Sequence, residues 1–163
     1  MTTTDDRTDE ADRSWWITVG DVMNRSPLTI PEGASVRDAV VLVVNGLAND
    51  LMVVGAGGRF AGLLAEGDIL RRALPNREEI LAAGGTVEDG YRTFVRRGGE
   101  IAAEPIDALV IRKPVLVAPG DHVAKVAAIL VERNIRTLAV VEGDRLVGSV
   151  SRAEVCGGLV RAH

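Results

Sequence analysis

Ser151 and Glu154 stand three residues apart in Gly148-Ser-Val-Ser151-Arg-Ala-Glu154, directly after an apolar run. A hydroxyl followed at this spacing by a carboxylate is a capping box. The hydroxyl accepts the N–H three residues on, the carboxylate accepts the hydroxyl residue's own N–H, and a helix begins there. Gly62-Leu-Leu-Ala65-Glu-Gly-Asp68 has the same layout without the hydroxyl, and Asp68 suits the positive end of a helix. Other chemistry is sparse. Cys156 is the only cysteine, which excludes an intrachain disulfide and a cysteine-based metal site. His122 and His163 are isolated, His122 at an expected helix start. No nucleophile lies near a base, so neither catalytic nor metal-ligating residues are assigned and the chain reads as a non-enzyme. Gly55-Ala-Gly-Gly58 lacks the Lys-Ser/Thr of a phosphate loop and joins two strands, not a strand to a helix.

The elements that carry these residues read in order. Val19–Pro27 is a short turn or helix ending at proline, and Leu28–Ile30 a brief strand. Ser35-x-x-Asp38 caps a helix from Val36 to about Leu47 that is apolar nearly all round, unlike a surface helix. Leu51–Val54 and Phe60–Leu64 form a hairpin, and a helix from about Glu66 to Leu74 stops before Pro75. Adding 87 to the residue number then carries Arg25 and Pro27 onto Arg112 and Pro114, Gly33 onto Gly120, and Leu51, Val53 and Val54 onto Leu138, Val140 and Val141. One residue is lost in the hairpin turn, and Gly62 falls on Gly148. The chain is therefore a doubled strand–helix–strand–strand–helix unit, each copy with a parallel crossover. The first copy spans 15–75 and the second 105–163. The acidic, Thr-rich stretch 1–14 reads as a disordered tail, and Trp15-Trp16 as the seal of a core edge, with docking of a partner as the alternative.

An insert, 76–104, separates the copies. Arg77–Ala83 is a short helix ended by Gly84-Gly85. Thr86 caps a second helix, with Val87, Tyr91, Phe94 and Val95 on one face. Packing on the outside of the module is one reading of this pair, and a docking or gating element the other. Arg92, Arg96 and Arg97, with Arg71 and Arg72, read as a solvated basic face.

Hydrophobic residues make up 47% and aromatics 3%, so the core is aliphatic. A net charge of −4 argues against a general binder of nucleic acid or anionic membrane. No apolar run is long enough to span a bilayer, and a cytoplasmic location is expected.

The doubled unit, with Val19-Gly-Asp-Val-Met-Asn-Arg-Ser-Pro-Leu-Thr-Ile and Ile106-Asp-Ala-Leu-Val-Ile-Arg-Lys-Pro-Val-Leu-Val leading into the two copies, resembles the cystathionine-β-synthase (CBS) domain pair, or Bateman module. The resemblance implies an α/β fold of two β-α-β-β-α CBS repeats related by a pseudo-two-fold, here with a helical insert. It also implies clefts that take adenosine compounds (AMP, ADP, ATP, S-adenosylmethionine) as regulatory ligands and not as cofactors. Pairing of two modules through apolar helices implies a homodimer through 36–47 and 123–131, acting on an unidentified protein target.

The family's site segment runs Gly-apolar-x-Ser/Thr-x-x-Asp, its hydroxyl on phosphate and its carboxylate on the ribose hydroxyls. By that resemblance Asp68 keeps the ribose carboxylate, although Ala65 lacks the hydroxyl. Ser151 keeps the hydroxyl, whereas Glu154 is one methylene longer than the usual Asp. Arg136, Thr137 and Arg152 lie where the family places phosphate, with adenine against Val115, Leu116 and Val117. Thr29 completes the set of ligand-binding residues. The second copy is expected to take a phosphorylated ligand, and the first at most an uncharged or weakly bound adenosine. The competing expectation is a degenerate CBS pair that serves as a dimerising scaffold without nucleotide.

Overall fold

The computed structural model describes residues 15–161; the tail expected over 1–14 and His163 lie outside them. The elements run α1 (Val19–Val22), β1 (Thr29–Pro31), α2 (Val36–Gly46), β2 (Asp50–Val54), β3 (Phe60–Ala65), α3 (Glu66–Ala73), α4 (Arg77–Ala82) and α5 (Val87–Ile101). They continue with β4 (Leu116–Val117), α6 (Val123–Glu132), β5 (Thr137–Glu142), β6 (Arg145–Ser151) and α7 (Arg152–Arg161). This is the α/β doubling expected, with α4 and α5 as the insert. Two compact units result: one is Leu28–Pro114, and the other joins the segment ending at Pro27 to the chain from Val115 onward.

In the Leu28–Pro114 unit, β1 pairs parallel with β2 and β2 antiparallel with β3. Leu51, Met52 and Val53 in the middle strand are all buried, as befits a strand covered on both faces. Val36 and Ala39 of α2, Ile101 of α5 and Ile106 close the same core. The other unit repeats the plan: β4 is parallel to β5 and β5 antiparallel to β6. Its core joins Val19 and Val22 of α1 to Val126 and Leu130 of α6, Leu138, Val140 and Val150.

Each unit holds the hairpin of one copy and the lead-in segment of the other. Leu63 and Ile111 exchange both backbone hydrogen bonds (3.1 and 2.8 Å), and Ser149 and Asn24 do the same (both 2.9 Å). The two bridges occupy equivalent positions in the repeat. A register shift lies beside each, between Val53 and Val54 in one hairpin and between Val140 and Val141 in the other. Such a bulge bends the strand and changes its pairing locally. The adjoining glycine lets the lead-in backbone come close. A Cβ on Gly62 would stand 2.4 Å from Val110 Cγ1 and 2.6 Å from the Ile111 carbonyl oxygen, and one on Gly148 would stand 2.7 Å from that of Asn24. Glu32 adds a polar tie, its carboxylate bridging Arg59 (2.8 Å) and Arg112 (2.9 Å).

Helix starts follow the side chains read from the sequence. Asp38 donates its N–H to Ser35 Oγ (3.1 Å), and Asp89 donates its own to Thr86 Oγ1 (3.1 Å). The hydroxyls of Ser35 and Thr86, ahead of their backbone N–H groups, hold the Asp38 and Asp89 carboxyls below the usual carboxylate range. A carboxyl depressed by folding stabilises above its unfolded value and ceases to do so as pH falls through its folded one. Asn76 and Glu79 form a further box at α4.

Three expectations are corrected. Trp15 and Trp16 do not seal a core edge: both are exposed, stacked edge-on to one another (5.4 Å), with Trp16 against the His122 ring (4.9 Å). Small aliphatic side chains already fill the core beneath α1, so no large ring is needed there. Val87, Tyr91 and Val95 are not packed; they are 68%, 69% and 71% exposed, because α5 turns Gly90, Thr93 and Ile101 inward. In the basic group of the insert Arg71, Arg92 and Arg96 stay on a solvated face as expected, and it is Arg97 that departs from it. Arg71, Arg72, Arg92 and Arg96 pair with Asp68, Glu104, Glu88 and Glu100, and the largely buried Arg97 ties α5 to Glu79 and the Leu74 carbonyl.

Gly62 combines a φ of 152° with the close approach of Val110 and Ile111. Gly62→Ala is expected to cost about 2 kcal/mol or more, from strain and overpacking together, read as a lower urea midpoint. Leu47 ends α2 at φ 50° and is 93% exposed, whereas the equivalent Asn134 takes φ 51° at the end of α6. Asparagine tolerates the left-handed region and leucine does not. Leu47→Asn should therefore raise stability by about 0.5–1 kcal/mol, seen as a higher melting temperature.

Candidate functional site

In both copies the second hairpin strand runs straight into a helix, so the junction sets a helix N-terminus beside the strand ends. At the second junction Thr137 lies directly across from Ser151, and the exposed Arg136 immediately precedes it. Ser151 and Glu154 answer one another: the Glu154 N–H points to Ser151 Oγ (3.4 Å), and the Ser151 N–H donates to Glu154 Oε2 (2.5 Å). This is the capping box, closed.

Arg152 turns to the far end of α6. Its Nε donates to the Ile135 carbonyl (3.1 Å), and Nη2 donates to the Leu130 carbonyl (3.0 Å) and Asn134 Oδ1 (3.2 Å). It therefore ties the Leu130 carbonyl, which already accepts the Ile135 N–H, to the chain just past the end of α6. Leu116 is exposed at the start of β4, whereas Val117 is buried in the core. A flat ring laid on this strand would meet the Leu116 side chain, with Val117 contributing backbone.

The first junction carries the same carboxylate position in a different state. Ala65 has no side chain to cap α3, and Asp68 is not drawn into a box. Its Oδ1 accepts from Arg71 (2.5 Å). Its Oδ2 is buried with no hydrogen-bond partner among the described residues, and the side chain as a whole is 19% exposed. A buried carboxylate oxygen without a donor is costly, so this atom is set to receive one. Thr29, at the β1 position equivalent to Leu116, is exposed and opposite Met52. Among the described residues no three His, Cys, Asp or Glu side chains gather to hold a metal ion, and no helix is long and apolar enough to cross a membrane.

The structure thus gathers Arg136, Thr137, Ser151, Arg152 and Glu154 at one junction, keeps Leu116 and Val117 on β4 in the same unit, and sets Asp68 and Thr29 in the other. Sequence reasoning missed the engagement of Arg152 with α6, since its acceptors are backbone carbonyls distant in the chain.

Two copies of a β-α-β-β-α unit with a helix N-terminus at each strand end define a tandem small-domain module. Comparison with known proteins gives the family. The CBS domain model matches residues 19–75 and 106–161, and the chain belongs to the CBS domain family. It is 36% identical over 61 residues to the CBS domain-containing protein CBSX2, chloroplastic, of Arabidopsis thaliana; the match takes in 37% of this chain and 26% of that protein. The crystal structure of the CBS-pair protein CBSX2 from Arabidopsis thaliana superposes with a TM-score of 0.73 at 21% identity, covering 90% of this chain and 96% of that one. CBSX2 in complex with AMP gives 0.66 at 21%, covering 88% and 96%. The CBS domain pair of protein MJ0100, in complex with 5′-methylthioadenosine and S-adenosyl-L-methionine, gives 0.64 at 19%, covering 91% and 99%.

Arg152→Ala removes three hydrogen bonds that hold the end of α6. It is expected to destabilise the fold by about 1–2 kcal/mol, measured by chemical unfolding without ligand. Unchanged stability would show that this contact does not support the helix end.

Proposed function

We propose that the chain is a non-catalytic regulatory module that binds an adenosine-containing ligand and signals by a conformational change to a protein target. The observation that carries this reading is Asp68 Oδ2, a buried acceptor without a donor among the described residues. A ribose diol supplies two hydroxyl donors, which is what a carboxylate at a helix start can accept. The first junction then suits an uncharged adenosine of its own, with Thr29 on the neighbouring strand. At the second junction Arg136, Thr137 and the α7 N-terminus suit a phosphate group, once Ser151 exchanges its cap for the ligand. The adenosine compounds bound by CBSX2 and MJ0100 support the same ligand class. A homodimer through 36–47 and 123–131 fits the exposed Val40, Val41 and Val44 of α2 and Val131 of α6. A cytoplasmic setting fits the exposed free thiol of Cys156.

One observation favours a scaffold without nucleotide: Ser151 and Glu154 already satisfy each other. Titration calorimetry of the full chain with adenosine, AMP, ATP and S-adenosylmethionine separates the two readings. Heat is expected from at least one compound, and Asp68→Asn should weaken its binding roughly ten- to hundred-fold, the worth of a hydrogen bond to a charged acceptor. Silence from all four compounds would leave the scaffold reading standing.

A further inference from the structure

The two oxygens of Asp68 are in different states. Oδ1 accepts from the Arg71 guanidinium (2.5 Å), three residues along α3. Oδ2 is buried and has no donor among the described residues. The Asp68 side chain is 19% exposed and that of Arg71 70%, so a solvated cation is tied to a largely buried carboxylate. Residues three apart on a helix are neighbours, and the tether is short. No capping hydroxyl shares the carboxylate, because residue 65 is alanine. The second copy is built otherwise. The counterpart of Arg71 there is Gly157, and Glu154 accepts the Ser151 N–H.

We infer that Arg71 is a specificity-determining residue of the first junction. By occupying Oδ1 it leaves Asp68 a single oxygen for the ligand, and the junction reads one ribose hydroxyl instead of the pair. This rests on the ribose reading of Asp68 and narrows it. A carboxylate with both oxygens open can take two neighbouring hydroxyls, one on each. Here Oδ1 already holds an ionised donor, against which a neutral hydroxyl competes poorly. Oδ2 has no such partner, and an acceptor buried without a donor is costly, so the first hydroxyl to arrive goes there. The second hydroxyl finds the other oxygen taken. Arg71 thus acts through Asp68, as a positioning residue, and sets how much of the sugar is recognised. An adenosine that lacks one of its two ribose hydroxyls is then still a ligand of this junction.

The test is titration calorimetry of the full chain with adenosine, 2′-deoxyadenosine, 3′-deoxyadenosine and 2′,3′-dideoxyadenosine. At least one of the two monodeoxy nucleosides should bind within about threefold of adenosine, whereas the dideoxy compound should fall ten- to hundred-fold behind, the worth of one hydrogen bond to a charged acceptor. Arg71→Ala frees Oδ1, and both monodeoxy nucleosides should then fall about tenfold behind adenosine. A merely structural role for Arg71 would leave these ratios where they were, since it would act on all four compounds alike. If both monodeoxy nucleosides already lose tenfold or more on the unaltered chain, or if Arg71→Ala leaves the ratios unchanged, the inference falls and the ribose reading of Asp68 stands. If adenosine does not bind, or binds Asp68→Asn as well as the unaltered chain, the ribose reading falls and takes the inference with it.

Discussion

The architecture depends on one small interaction made twice: the pair of backbone hydrogen bonds between a hairpin strand and the lead-in segment of the other copy. Leu63 with Ile111, and Ser149 with Asn24, each place an extra stretch of extended chain against the hairpin. Everything nearby accommodates that approach. The bulge bends the strand, Gly62 and Gly148 remove the side chain that would block it, and Ile106 and Val110 in one unit, or Val19 and Val22 in the other, bring their side chains into the core. A two-layer unit of three short strands has little apolar area of its own, and small domains are correspondingly marginal. The exchanged segment supplies the missing part of each core.

On that shared frame the two copies have separated in their polar residues. Where the second has Ser151 and Glu154 joined as a cap, the first has Ala65 and leaves an oxygen of Asp68 without a donor. Where α6 ends in Asn134, comfortable at positive φ and held by Arg152, α2 ends in an exposed leucine. Equivalent backbone thus carries unlike chemistry.

What was legible in the sequence was local or periodic. The strand and helix order, the Ser35–Asp38 and Ser151–Glu154 boxes and the Thr86 cap depend on residues a few positions apart, and the repeat on a constant shift, so spacing alone reveals them. The Asn76–Glu79 box has the same spacing, set between Pro75 and the Gly84-Gly85 turn. The lead-in bridges could not be read, since Asn24 and Ser149 carry no mark of their pairing and only the folded topology joins them. The same holds for Arg152, whose acceptors are carbonyls. For the insert, periodicity put Val87, Tyr91, Phe94 and Val95 on one face, yet only Phe94 packs against the core and the other three are exposed. Gly90 and Thr93, which lack the look of core residues, proved to be the inward ones. At the candidate site the residue types of Asp68, Ser151 and Glu154 were plain, whereas their states, one open and two closed, required coordinates.

The exchange of lead-in segments also governs the order in which the protein can come into being. A ribosome delivers Asn24 well before Ser149, the residue it pairs with, and the whole Leu28–Pro114 unit is made in between. The nascent chain must hold the Asn24 segment unpartnered while that unit assembles around Ile111. Only once β6 emerges does the segment find its place. Synthesis from N- to C-terminus therefore favours one sequence of events, the Leu28–Pro114 unit closing before the other, and stalling anywhere short of Ser149 leaves α1 and Asn24 without the strand that houses them.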